Sequence, residues 1–283
     1  MTPAPRALVR AENAGLPLLR AEIARATRQL VADVALVTAI ASRRRTAEQA
    51  VALTQRRAEA LALSLARVIE ALRLAAKKAS FDSLTGEWAA VRKGLTKAGH
   101  SDPGPLGVQV LLAPTDTAQA ASSARSLAST WSRVTLAAVW AWADREDAGD
   151  DLGRAIAAAN VDGAVKRTVA TESAQAFADL RDEGAGWLAE VHRDADWLPA
   201  VGKAWDASND RKICPTCARM GDSLPRPVGV PFPGGAEPGY AHPFCRCVPR
   251  WVLLPARVRT LERRGRQVDD FAPRSLLDTP QAA

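Results

Sequence analysis

The chain has 283 residues, 47% of them hydrophobic, which suffices for one large domain or two small ones around a buried core. Its formal net charge is +7 and its pI about 9.7, a balance that favours an acidic partner such as nucleic acid. No apolar run reaches membrane-spanning length and the first residues do not read as a signal peptide, so the expectation is no membrane and a cytoplasm-like space.

The charge is unevenly placed. Residues 1–100 carry 17 basic against 8 acidic side chains, residues 101–202 carry 8 against 15, and residues 203–283 carry 13 against 8. Two basic ends around an acidic middle fit either charge pairing within or between chains, or two ends that face a polyanion.

Proline sets the organisation. None lies between Pro17 and Pro103 or between Pro114 and Pro199, while nine of the 18 fall from Pro215 to Pro255. Because proline breaks helix interiors, the first two spans are free to be helical and the third is not. Four regions follow: 1–100, a basic long-helix region; 101–202, an acidic helical region; 203–255, a zinc-knuckle module; and 256–283, a basic, disordered tail. The fold class is mainly α, with short strands in a small irregular module near the C-terminus.

In chain order, residues 18–80 are rich in Ala, Leu, Arg and Glu, all good helix formers. Ile23, Leu30, Val34, Val37 and Ala41 make one apolar stripe, and Leu61, Leu65, Val68, Leu72 and Ala75 make another. Arg43, Arg44 and Arg45 precede Thr46-Ala-Glu-Gln49, which has the pattern of a capping box, so the helix either breaks near residue 45 or runs through. The three arginines read as a solvated face or a helix C-terminus, with a DNA contact as the other reading. A further helix is expected over 84–98, with Trp88, Val91 and Leu95 on one side, then a turn-rich break over 99–107 that leaves His100 exposed. Helices are expected over 118–143, from an Asp150-Asp151 cap to about Asn160, and over 164–182, where Gly184 and Gly186 end it. His192 reads as structural or surface, and the tryptophans as core anchors. Segments 202–205 and 247–254 read as strands.

The strand-flanked stretch holds all four cysteines: Cys214-Pro-Thr-Cys217, then His242-Pro-Phe-Cys245-Arg-Cys247. Two short-spaced ligand pairs held apart by a loop form the pattern of a structural zinc site, because a tetrahedral ion needs four soft ligands converging from two tight turns. The likeness of Cys-Pro-x-Cys to His-Pro-x-Cys favours Cys214, Cys217, His242 and Cys245, with Cys247 as spare. The other set keeps Cys245 and Cys247 both and leaves His242 outside. A metal would replace a core that this segment is too small and polar to build. Disulfides are disfavoured without a secretory signal, and no βαβ pattern surrounds the Cys-x-x-Cys to make it a redox motif.

Trp205-x4-Asp210-x3-Cys214-Pro-x-Cys217-x3-Gly221, followed by Pro238 and His242-Pro-x-Cys245-Arg-Cys247, resembles the C-terminal signature of the phage Mu F-like minor head proteins, head morphogenesis proteins of tailed bacteriophages. The likeness covers residues 165–250. The family often carries Arg-Thr-Glu in the preceding helix, where this chain has Ala170-Thr171-Glu172, and Asp before the glycine, where it has Met220. The resemblance implies a minor capsid component of the virion head, assembled in the host cytoplasm, that binds the portal protein and acts in head assembly, DNA packaging or DNA delivery. Major capsid or scaffold protein is a further partner it implies, and non-specific double-stranded DNA is the partner the basic ends suggest. The Pro225–Pro238 loop, with Val230, Phe232, Tyr240 and Phe244, offers apolar residues for such a partner or for packing around the metal.

The chain has no His-Glu-x-x-His, no Gly-x-Ser-x-Gly and no phosphate-binding Gly-rich loop, and cysteine-rich ligation closes a zinc site to water. No enzyme activity and no small-molecule substrate are expected. The alternative function is a zinc-ribbon DNA-binding regulator, which would need a recognition helix beside the knuckle.

Overall fold

The computed structural model describes residues 3–38, 43–106, 117–144, 151–207, 214–228, 230–232, 238, 241, 245 and 247–255. It is mainly helical, with α1 (Pro3–Thr38), α2 (Arg43–Lys97), α3 (Thr117–Ala143), α4 (Leu152–Ala157), α5 (Asp162–Val191) and α6 (Pro215–Asp222). A three-stranded antiparallel sheet, β1 (Val201–Asp206), β2 (Arg226–Pro227) and β3 (Val248–Leu253), lies near the C-terminus in the order β2-β1-β3. The chain divides into two compact units: Met1–Ala11, Arg73–Ala113 and Ser173–Ala283 form the first, Glu12–Leu72 and Pro114–Glu172 the second.

The second unit is an all-helical core. Leu19, Ile23, Ala26, Leu30 and Val34 of α1 pack with Leu61, Leu65, Ile69 and Leu72 of α2 and with Leu127, Trp131, Val139 and Trp142 of α3. Their spacing of three, four and seven puts one stripe of each helix inward. Val68, placed in the expected stripe, is half-buried and Ile69 is buried instead; Ala75, which belongs to the first unit, is exposed. Polar groups are tied across this core: Trp131 Nε1 donates to Thr27 Oγ1 (3.1 Å), Arg57 bridges to Asp33 (2.6 Å) and Arg20 to Asp162 (2.6 Å). Asp151 caps α4 as expected, its carboxylate accepting from Gly153 N at 2.8 Å.

Four local expectations are corrected. Helix α1 begins at Pro3 and continues through Pro17, because a continuous apolar face outweighs the missing hydrogen bond, a cost of about 3 kcal/mol. Arg43, Arg44 and Arg45 open α2 rather than close a helix, and Thr46 is buried within it rather than capping it. The helix expected over 84–98 is not separate, since α2 runs unbroken to Lys97. Helix α5 passes through Gly184 and Gly186: Leu180, Ala185 and Leu188 are buried around them, and that burial exceeds the roughly 1 kcal/mol each glycine costs a helix.

The first unit joins the sheet to helices. Trp88 of α2 meets Trp197 and Trp251 edge-on, with centroids 5.8 and 5.7 Å away, and Leu84, Val91, Leu95, Leu180 and Leu188 complete the cluster. His192 stacks between Trp187 and Trp197, a structural place. His100, expected to be exposed, is partly buried and pairs with Asp196 at 3.0 Å. Trp140 is exposed at 42% and is no core anchor, unlike Trp88, Trp131, Trp142, Trp197, Trp205 and Trp251. Arg73 pairs with Asp179 and Lys77 with Glu183, an equal offset, so α2 and α5 run in the same direction here. With Arg92–Asp102, these pairs join the basic first hundred residues to the acidic middle within the chain.

One ion pair fastens the sheet. Arg181 of α5, fully buried, donates from Nη1 and Nη2 to the two carboxylate oxygens of Glu87 on α2 (2.7 and 3.0 Å), and also to Pro249 O (2.6 Å), Ser83 Oγ (3.2 Å) and Ser80 Oγ (3.3 Å). Glu87 in turn accepts from Trp251 N at 3.0 Å. Leu254 N donates to Ala200 O, so by two-residue alternation Arg250 and Val252 turn their backbone groups toward β1, and Pro249 and Trp251 turn theirs away, toward Arg181 and Glu87.

Candidate metal centre

The site is built by the sheet and one short helix. Pro215 stands at the first helical position of α6, where its missing N–H costs nothing and its fixed φ suits the helix. Cys214 is the N-cap, with extended backbone (φ −74°, ψ 153°), and its Sγ accepts from Cys217 N at 3.2 Å. The Cys-Pro-x-Cys spacing therefore wraps one turn, with both sulfurs at the start of a helix whose N–H groups favour negative charge. The second arm enters from the sheet: Cys247 immediately precedes Val248, the first residue of β3, and Cys245 lies two residues earlier.

Cys217, Cys245 and Cys247 are all buried, and their sulfurs lie within 4.8 Å of one another. Cys217 Sγ and Cys245 Sγ are 3.8 Å apart. A tetrahedral ion bonded to sulfur at about 2.3 Å sets its ligand sulfurs about 3.8 Å apart, so this pair already spans one edge of that tetrahedron. All four cysteines are free thiols, and Cys214 is half-buried at the rim. Cys217, in hydrogen-bonding contact with each of the other three, has its thiol pushed strongly up, first by burial and then by Cys214 and by the charge of Cys245, while Cys247 acts the other way. A buried, crowded thiol group of this kind is poorly placed as a set of anions and well placed as ligands, because one cation relieves both the desolvation and the mutual repulsion.

The surroundings are apolar. Trp205, Met220 and Phe232 pack on the cysteines, and the rings of Trp205 and Phe232 meet edge-on at 5.1 Å. Phe232, named with Val230 as a possible partner contact, is 1% exposed and belongs to this packing; Val230 is half-buried. Of the five sequence-derived ligand candidates the structure gathers Cys217, Cys245 and Cys247, places Cys214 beside Cys217, and leaves His242 outside the described residues. Asp210, Tyr240 and Phe244 also lie outside them. Cys247, the spare in one sequence-derived set, is a member of the buried trio.

Two residues near the site were not singled out by sequence. Lys203 and Arg226 are 6% and 5% exposed, and they face each other across β1 and β2. The alternation of Val201, Lys203 and Trp205 was the available signal, since it puts the lysine on the same sheet face as two buried apolar residues.

Among the described residues no helix is long and apolar enough to cross a membrane. Comparison with family models, curated proteins and solved structures gave no match for the chain.

Proposed function

We propose that this chain is a structural minor head protein of a tailed phage, with one zinc ion held by its C-terminal module, and that it acts beside the portal in head assembly, DNA packaging or DNA delivery. The observation that carries this reading is convergence. The residues on which the resemblance rests are dispersed over more than 40 positions, yet Trp205, Cys217, Cys245 and Cys247 share one buried cluster on a small sheet. Such a module gains its stability from a metal rather than from a large core, and its rigid surface loses little freedom when it docks.

Zinc is the ion that suits soft, converging thiolates with no open position, and its role is to close the fold rather than to activate water. Cys214, Cys217, Cys245 and Cys247 would hold it, with His242 as the competing fourth donor. Exposed Arg28, Arg56 and Arg67 on α1 and α2 are suited to non-specific contact with double-stranded DNA.

The test is genetic and biochemical. Without this chain, heads should fail to assemble, package or infect, and the tagged chain should co-purify with portal oligomers. Normal infectious particles assembled in its absence would overturn the head-protein reading.

A further inference from the structure

Trp205 is 1% exposed, and its indole Nε1–H, itself shut off from solvent, meets no hydrogen-bond acceptor among the described residues. A buried indole N–H ordinarily finds a partner, and leaving one without costs free energy. The ring lies in the apolar cluster of Cys217, Met220, Phe232, Cys245 and Cys247, with Cys214 packed against it, and sulfur is the sole acceptor that those side chains offer. Strand register sets one sulfur close by: Trp205 pairs with Pro249 across β1 and β3, and Cys247 lies two residues before Pro249, on a diagonal that an aromatic side chain spans. A protonated thiol or a thioether is a weak acceptor. A thiolate is a strong one, because the bond to it is charge-assisted.

We propose that Trp205 is the built-in hydrogen-bond donor of the metal centre, its Nε1–H held for a metal-bound thiolate. Ligation takes the protons from the thiols, and the sulfurs then carry negative charge that the ion neutralises only in part. An N–H aimed at such a sulfur stabilises that charge in a place without water. The donor that is costly to bury beside thiols becomes favourable beside thiolates, and the difference adds to metal affinity. Trp205 is a positioning residue and not a ligand, and its ring is braced by Phe232, edge-on at 5.1 Å. Packing alone explains an aromatic ring at this position, but phenylalanine would serve packing without bringing an N–H to bury.

This inference rests on the zinc reading above, and the experiment separates the two. The full-length protein is loaded with an NMR-active isotope of cadmium, a soft ion that thiolates take as they take zinc. The Trp205 indole proton, identified by its loss in Trp205→Phe, should move downfield on loading and show scalar coupling to the metal through the N–H···S bond. In competition with a chromophoric chelator at neutral pH, Trp205→Phe should hold zinc about tenfold more weakly than the parent. Where Trp205→Phe does not fold, benzothienylalanine at position 205, which keeps both rings and replaces the N–H by sulfur, is read in the same way. An indole proton without coupling to cadmium, or one in contact with a trapped water instead, overturns the donor role even where Trp205→Phe weakens zinc. A folded variant that holds zinc within twofold of the parent overturns it as well. A parent that binds neither zinc nor cadmium overturns the metal reading itself.

Discussion

Replacing Arg181 by methionine removes the guanidinium that holds β3 to α2 and α5. The arginine is fully buried and the Glu87 side chain is 10% exposed, so water cannot take over for either. The variant loses both bonds to Glu87 and the bonds to Pro249 O, Ser83 and Ser80, while methionine fills much of the volume. What remains is a buried carboxylate with Trp251 N–H still donating to it. Breaking a buried pair on one side costs about 3–5 kcal/mol, most of it from the orphaned charge. Adding Glu87→Gln removes that charge and keeps an oxygen for Trp251 N–H, so the double variant should recover at least ~2 kcal/mol relative to the sum of the singles. Urea denaturation followed by tryptophan fluorescence measures all four proteins, and the Trp88–Trp197–Trp251 cluster reports this unit. A cost below ~1 kcal/mol for Arg181→Met, or strict additivity in the cycle, would refute the ascribed role. Because Pro249 lies two residues beyond Cys247, the single variant should also release metal faster.

Cys217→Ser and Cys247→Ser should both abolish stoichiometric zinc by elemental analysis while α1 and α3 keep their far-UV helicity; a Cys247→Ser protein with one tightly held zinc removes that cysteine from the ligand set. Zinc affinity should fall as pH falls, since ligation must displace protons from thiols, that of Cys217 being held more tightly by burial, and a pH-independent dissociation constant between pH 6 and 8 argues against thiolate ligation. Without metal the sign reverses: the raised Cys217 thiol keeps its proton while an unfolded thiol loses one above about pH 8.5, so apo stability is full below that pH and declines as pH rises, measurable by urea midpoints. Gly202→Ala should destabilise by about 1–3 kcal/mol in the same denaturation assay, because a Cβ would lie 2.6 Å from Arg226 O and clash with Leu254. DNA binding, read by filter retention, should weaken steeply between low and moderate salt, and a flat response would remove the polyanion reading.

The helical class, the Asp151 cap, the strands β1 and β3 and the cysteine arms were legible because each has a local cause: periodicity, a capping carboxylate, alternation, ligand spacing. What was not legible depends on neighbours far away in sequence. Pro17, Gly184 and Gly186 are helix breakers by local rule, and only the packing of Leu19, Leu180 and Leu188 overrides it. Arg181 and Glu87 are 94 positions apart and look like ordinary surface charges in a string of letters. The buried cysteine trio raised a different difficulty: spacing limits which sulfurs can meet, and only the placing of Cys245 and Cys247 ahead of β3, beside α6, shows which do.

The bonds that Pro249 and Trp251 make away from β1 also bear on how this protein behaves in a crowd. The outer rim of β3 would otherwise offer a free carbonyl and a free N–H, the template on which another chain's strand can add. Arg181 and Glu87 occupy that template as a neighbouring strand would, one donating to Pro249 O and the other accepting from Trp251 N. Proline, with no N–H, blanks the adjacent position. An ion pair thus serves as a side-chain substitute for a missing strand, and it protects a small sheet from sticking to its own copies at high local concentration.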